Sequence, residues 1–269
     1  MLDFSDFDTK GFAVIPNWIS DADASFIASD YHNSEESDNK NQKTHLASPG
    51  VMISLQEKIN EVLDAINEQT SLHVDLITPE AVYFSNQYMR PGWHQDHESF
   101  YILQQHINYL NFYIIVEKDD PLTSGISLIS LDTVRDKLKI YANAIIGGGA
   151  STYHKLGSDT RVTNDDKGIT YVIRGDLDDI ATSPELRAGD LLLMRGDIIH
   201  KTQDGDANRL ALSVRCTDGS APIFKSKILS GCKAKKDIIA KHPQGFNYVL
   251  EKIGDKESIT AFELYGKSE

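Results

Sequence analysis

Ala188-Gly189-Asp190-Leu191-Leu192-Leu193-Met194-Arg195-Gly196-Asp197-Ile198-Ile199-His200 is the stretch that decides the fold. Ala188-Gly189-Asp190 is a turn, and Leu191 to Met194 reads as a buried strand. Arg195-Gly196-Asp197 turns again, and Ile198-Ile199-His200 leaves a histidine at the end of a short apolar run. A polar loop from Lys201 to Asn208 then leads into Arg209-Leu210-Ala211-Leu212-Ser213-Val214-Arg215, a strand of period two. Arg209, Ala211, Ser213 and Arg215 share one face, and Leu210, Leu212 and Val214 the other. Such a strand lines a polar cavity with one face and packs on a core with its back. The alternative is a solvent-facing edge strand.

Upstream, Pro91-Gly92-Trp93 is a turn signal that delivers the chain into His94-Gln95-Asp96. Residues i and i+2 of a strand project to one face, so His94 and Asp96 can reach the same ion if the segment is extended. With His200 they make two imidazoles and one carboxylate. That donor set holds non-haem Fe(II) on one face and leaves three positions open. A His-x-Asp triplet arises easily by chance in a chain with nine His, so its context carries the argument.

His-x-Asp, then Gly-Asp-Leu-Leu-Leu, then His, then Arg nine residues on resembles the 2-oxoglutarate and Fe(II)-dependent oxygenase superfamily. The similarity runs from about Val82 to Cys216, interrupted by an insertion. It implies a mainly β fold with flanking helices, a double-stranded β-helix (jelly roll, cupin-like). By the same resemblance His94, Asp96 and His200 are the iron ligands and catalytic centre. Arg209 is the arginine for the far carboxylate of 2-oxoglutarate, and Ser213 adds a hydroxyl to it. Guanidinium suits that role because its planar fork holds both carboxylate oxygens. The implied reaction consumes O2 and 2-oxoglutarate, releases succinate and CO2, and hydroxylates, desaturates or cyclises at an unactivated C–H of a small molecule. The details are nearer the phytanoyl-CoA hydroxylase-like and prolyl hydroxylase-like branches than the plant hormone branch, whose Arg-x-Ser pair would need Ser at position 211. Family members that transfer halogen have a small residue where Asp96 stands, so halogenation is not expected. The alternatives are a prolyl hydroxylase-like enzyme acting on protein side chains, a non-catalytic jelly roll that binds a metal or ligand, and a metal enzyme needing no 2-oxo acid. An inward Arg209 has little use in the last two.

Other positions join the site on strand alternation. Tyr109, Asn111 and Tyr113 fall on one face, which points Tyr113 and Asn111 at 2-oxoglutarate or substrate; the alternative for Asn111 is a backbone partner. Tyr83, on the strand before the triplet, and Trp93, beside it, are further substrate-facing candidates. Arg215 shares the face of Arg209 and has three readings: the near carboxylate of 2-oxoglutarate, a substrate carboxylate, or a structural acid. His97 points away from Asp96.

The 269 residues, 40% hydrophobic, can bury one substantial core. A net charge of -13 disfavours nucleic acid and anionic membrane as partners. With two cysteines, no disulfide framework is implied, and the acidic start of the chain lacks the flanks of a signal peptide. The expectation is a cytoplasmic enzyme of undetermined oligomeric state acting on a small molecule.

One domain, 1–269, is expected, with helical support in 1–80 and a jelly-roll core in 81–131 and 188–218. An insertion at 132–187 is expected as a lid, followed by a C-terminal extension at 219–269. Helices are expected from Ser20 through Ile27, over about Val51 to Glu68 with Ile53, Ile59, Val62, Leu63 and Ile66 facing inward, and near Phe246 to Ile253. Strands are expected at Gly11 to Pro16, Ala81 to Met89, Ile107 to Glu117, Gly125 to Leu131 and Ile169 to Arg174. Asn33 to Lys43 reads as a mobile loop. Gly147-Gly148-Gly149 lacks the Lys-Ser/Thr of a phosphate loop and reads as a hinge in the lid.

Overall fold

The structure, a computed structural model, describes residues 2–33, 37–39, 42–85, 91–203 and 207–266. Alternating strands build two facing antiparallel sheets. In the larger, Phe12–Ile15, Leu191–Arg195, Tyr109–Lys118, Arg209–Thr217, Leu76–Ser85, Gln42–Leu46 and Ser37–Asn39 lie side by side in that order. In the smaller the order is Ile169–Ile173, Asp159–Asn164, Ser151–Leu156, His94–Gln95, Ile199–Thr202 and Ile126–Ile129. Two such sheets closing on one interior form a double-stranded β-helix.

The alternation of Arg209–Thr217 does what its sequence requires. Leu210, Leu212 and Val214 pack, with Leu110, Phe112, Ile114, Leu191 and Leu193, under the helices Asp21–Asn33 and Pro49–Gln69. The opposite face, with Ala211, Tyr113, Ile115, Leu192 and Met194, meets Ile126, Leu128 and Ile198 between the sheets. Helix Pro49–Gln69 buries Val51, Leu55, Ile59, Val62, Leu63 and Ile66. Ile53 is 72% exposed, because its place on the buried stripe is taken by Leu55.

Several boundaries differ from the sequence expectations. The first long helix continues past Ile27 to Asn33, and the strand expected at Ala81 to Met89 is Leu76–Ser85; residues 86–90 lie outside the described ones. Within Asn33 to Lys43, expected as a loop, Ser37–Asn39 pairs with Gln42–Thr44, and the remaining positions 34–36, 40 and 41 are outside the described residues. Backbone pairing to a sheet edge is not visible in side-chain periodicity. Leu131 opens the helix Leu131–Lys137 instead of ending a strand.

The largest correction concerns 132–187. Ser151–Leu156 pairs directly with His94–Gln95, and two further strands extend that sheet. The segment is therefore part of the jelly roll's second sheet, with the helices Leu131–Lys137 and Ala142–Ile145 over its back, and not a hinged cover. Val134, Leu138, Ile145, Tyr153, Val162 and Ile199 bury that layer. The glycine run is packed rather than hinged. A Cβ on Gly149 would stand 2.5 Å from Phe100 Cγ, and one on Gly148 would stand 2.6 Å from the Ala144 carbonyl oxygen. Gly149→Ala should destabilise the protein by about 1–3 kcal/mol as Phe100 is forced aside. A urea midpoint identical to that of the parent would contradict this.

Beyond Gly219, the short pair Pro222–Phe224 and Ser258–Thr260 and the helices Lys233–Lys241, Pro243–Ile253 and Ala261–Tyr265 form a cap. It buries Ile223, Phe246, Val249, Ile253 and Leu264 against Tyr101, Leu103 and Tyr109. The Thr260 and Glu263 capping box fixes the last helix. Among the described residues no helix is long and apolar enough to cross a membrane.

Candidate metal centre

His94 and His200 are direct partners across an antiparallel strand pair, with ring centroids 4.3 Å apart. Asp96 lies just past the end of His94–Gln95, its Oδ1 3.5 Å from His94 Nε2 and 3.9 Å from His200 Nε2. The three donor atoms all fall within 4.8 Å of one another. Each imidazole is oriented by its other nitrogen. Nδ1 of His94 meets the Gly92 carbonyl at 2.8 Å, and Nδ1 of His200 meets the Ile198 carbonyl at 3.0 Å. A carbonyl can only accept, so each Nδ1 carries a proton and each Nε2 is aimed at the same point, where a metal would replace any proton that His94 Nε2 shares with Asp96.

Electrostatics support the same reading. Burial, together with the neighbouring His94, pulls His200 down to about 4, so it is neutral near pH 7. Burial alone would raise Asp96, yet the hydrogen bond to His94 and the positive field of both histidines and Arg215 hold its carboxyl far below the usual carboxylate range. Burial also opposes the charged form of His94, but its bond to Asp96 outweighs this and raises it. Two imidazole nitrogens and a carboxylate crowded at one point, with outer nitrogens tied back to carbonyls, fit a divalent transition metal.

The residue between the ligands is functional in a way the sequence does not reveal. Gln95 is fully buried and points away from the metal point. Its Nε2 donates to the carbonyls of Ile145 and Asp197 at 2.9 and 2.8 Å, and its Oε1 accepts from Tyr153 Oη at 3.0 Å. Arg195 and Asp197 add a buried bidentate pair at 3.0 and 2.7 Å, and Asp197 also accepts from the Gly147 N–H. The turn before His200 is thereby tied to the layer behind His94. Gln95→Leu should lower stability by at least about 2 kcal/mol, because two carbonyls and a tyrosine hydroxyl lose their partners in a dry layer. An unchanged unfolding free energy would remove this role.

Arg209 is 1% exposed, and among the described residues none of its Nε, Nη1 and Nη2 has a hydrogen-bond partner. A buried guanidinium with every donor orphaned is poised for an anion. Tyr113 Oη is orphaned as well; burial pushes its phenol up and the Arg209 charge pulls it part of the way back. Arg209 and Tyr113 are therefore close enough to feel one another, and the Phe84 ring centroid is 6.1 Å from that of Tyr113. A dicarboxylate with one end on the metal and one on Arg209 fits this donor set.

The remaining candidates divide. Asn111 and Arg215 face the interior on adjacent strands. Ser213 donates to Asn111 Oδ1 at 2.8 Å, so its proton is engaged with a side chain rather than offered to the Arg209 pocket. Tyr83 points the other way, into the helix-side core, where its hydroxyl donates to Asp30 at 2.8 Å. Trp93 also lies on the far face, its ring under Lys201 and its Nε1 donating to Asp178 at 3.2 Å. Both corrections have one cause: strand alternation fixes relative faces, but the packed layer decides which face is inside. His97 pairs with Asp165 at 3.0 Å, away from the ligands as expected. Beside Asp96 opens a cavity of about 400 Å³, walled by Arg215, Tyr109, Leu103 and, from the cap, Val249 and Tyr265. The cap residues carry no sequence signal, since only the tertiary fold brings the chain's end to the cavity.

No family model matches the chain, and no curated protein matches it in sequence. Among solved structures it is similar to EvdO2 from Micromonospora carbonacea var. aurantiaca, at 12% identity over 81% of this chain and 91% of that one, with a TM-score of 0.51. It is also similar to HygX from Streptomyces hygroscopicus, solved with nickel and 2-oxoglutarate bound, at 14% identity over 78% and 84% and a TM-score of 0.47. A Pseudomonas putida prolyl-4-hydroxylase matches at 12% identity over 79% and 95% with a TM-score of 0.43. The EvdO2 likeness supports a shared fold; the role of the site rests on its own geometry.

Proposed function

We propose that this chain is an Fe(II)- and 2-oxoglutarate-dependent oxygenase that oxidises a C–H bond of a small molecule. The observation that carries the reading is a three-ligand centre together with a buried guanidinium that has no partner among the described residues. A metal-binding jelly roll without a keto acid gives no reason for that guanidinium, because burying an unpaired cation costs several kcal/mol.

His94, Asp96 and His200 would hold the metal, and bound Fe(II) would supply the chemistry that couples 2-oxoglutarate decarboxylation to C–H oxidation. The chain's own residues position and shield. Arg209 grips the far carboxylate with two parallel N–H bonds, and Tyr113 offers it a further O–H. Leu192, Met194, Ile115 and Ala211 make the surroundings apolar, which strengthens those bonds and excludes water. The cavity beside Asp96 is of the size that encloses a small molecule, and the cap over it supports a free metabolite over a protein side chain.

The test is anaerobic. Fe(II) and 2-oxoglutarate together should give the weak visible charge-transfer band of a chelated keto acid, and admission of air should yield succinate. Absence of both the band and succinate would overturn the proposal.

A further inference from the structure

Each imidazole of the centre is oriented through its second nitrogen by a carbonyl, but the carboxylate is not. Among the described residues Asp96 Oδ1 meets His94 and His200, and no other side chain or N–H hydrogen-bonds to its carboxylate. Where the two imidazoles converge is set by their own partners. The carboxylate must be brought to that point by its main chain.

That main chain is held in an unusual way. His94 pairs with Thr152 and Gln95 with Ser151, so the next antiparallel pair would be Asp96 with Ala150. Ala150 supplies half of it, its N–H donating to the Asp96 carbonyl at 2.7 Å. Its own carbonyl turns away from the ladder and accepts from the Asp165 N–H at 2.8 Å. The turn is left-handed: φ of Ala150 is +53°. The residue is fully buried, in the layer that holds Tyr101, Leu103 and Tyr109. Glycine takes this region freely, whereas an alanine stays there only where its surroundings over-determine it.

Asp165 also grips the other side. Its Oδ2 accepts from His97 Nε2 at 3.0 Å, between side chains that are 16% and 13% exposed. Its carbonyl accepts from Cys232 Sγ at 2.8 Å, which ties it to the cap. The peptide that joins Asp96 to His97 is therefore clamped twice. Ala150 holds its oxygen, the Asp165 side chain holds the residue that follows, and both clamps end on Asp165.

We propose that Asp165 is a positioning residue for the metal, fixing through Ala150 and His97 the main chain that carries Asp96 to the point set by the imidazoles. This rests on the metal centre of the oxygenase reading above. The test titrates the full chain with Mn(II), reading the free ion by electron paramagnetic resonance, and records the visible ligand-field bands of Co(II)-loaded protein. Asp165→Ala should raise the Mn(II) dissociation constant at least about tenfold and shift the Co(II) bands. Asp165→Asn keeps an oxygen that can accept from His97 and should stay within about threefold of the parent. That rescue separates position from charge, since a carboxylate acting only through its field is lost in both variants. His97→Phe removes the same bond from its other end, so its loss should match that of Asp165→Ala and the two should not add in the double variant. Leu63→Ala, in the core under the helices, should melt lower yet bind Mn(II) like the parent.

The proposal is overturned if Asp165→Ala binds Mn(II) within about threefold of the parent, if Asp165→Asn is as weak as Asp165→Ala, if the losses add, or if Leu63→Ala weakens the metal equally. Should Asp165→Ala not fold, His97→Phe carries the test, and unchanged Mn(II) binding there overturns it. A parent that binds no Mn(II), or binds it equally after His94→Ala, would remove the metal centre and this role with it. Failure of the Asp165 and His97 variants alone would remove only the role of Asp165.

Discussion

Asp96→Ala should lower Fe(II) affinity by more than about a hundredfold, since even partners one shell further out are typically worth 10–100-fold. Asp96 is the one anionic ligand of the set, and its carboxyl is held ionised far below the ordinary range by the imidazoles around it. Without it the metal would face two neutral nitrogens, with no charge to offset desolvation of a divalent cation. The fold should survive, because Asp96 lies just past the end of its strand and, among the described residues, its ion-pair partners are the other two candidate ligands. The measurement is an anaerobic competition titration against a chromophoric chelator, with circular dichroism as the control for folding. Affinity within threefold of the parent would remove Asp96 from the centre.

Arg209→Ala has the second largest expected effect, and it acts on the cosubstrate and not on the metal. A charge-assisted bidentate pair lost in a dry pocket is worth roughly 1.5–3 kcal/mol, or about 10- to 150-fold in 2-oxoglutarate affinity. Iron affinity should not change. The stability of the ligand-free protein separates this role from a structural one. A structural arginine would be missed, whereas an arginine whose three nitrogens find no partner among the described residues is a burden until its anion arrives. The melting temperature of the free variant should therefore equal or exceed that of the parent, while 2-oxoglutarate should raise the parent's alone. A variant that melts lower yet binds 2-oxoglutarate normally would show that Arg209 serves the fold.

The candidate ligands were legible because their chemistry is tied to local spacing. His94 and Asp96 share a face by period two, and Arg209 shares its strand face with Arg215 by the same rule. The double-stranded β-helix followed from a resemblance spread over several short motifs, and the two facing sheets agree with it. Tyr83 and Trp93 mark where that reasoning stopped. Tyr83 sits on a strand beside Arg209–Thr217 and Trp93 just before His94–Gln95, yet Tyr83 is hydrogen-bonded to Asp30 under the helices and Trp93 faces Asp178 and Lys201. Alternation within one strand says which side chains agree with each other, but nothing about which side another layer will cover.

The sequence by itself determined the candidate donor set, the strand faces that carry it and an arginine at each end of one strand face, all consequences of residue type and short-range period. Only the tertiary structure decided that 151–156 is the strand beside His94, that Gln95 and the Arg195–Asp197 pair lock both ends of the centre, and that the C-terminal cap walls the cavity. These are pairings between residues far apart in the chain. Their stabilisation comes from burial and from satisfying backbone groups at a distance, and neither leaves a periodic trace in the local sequence.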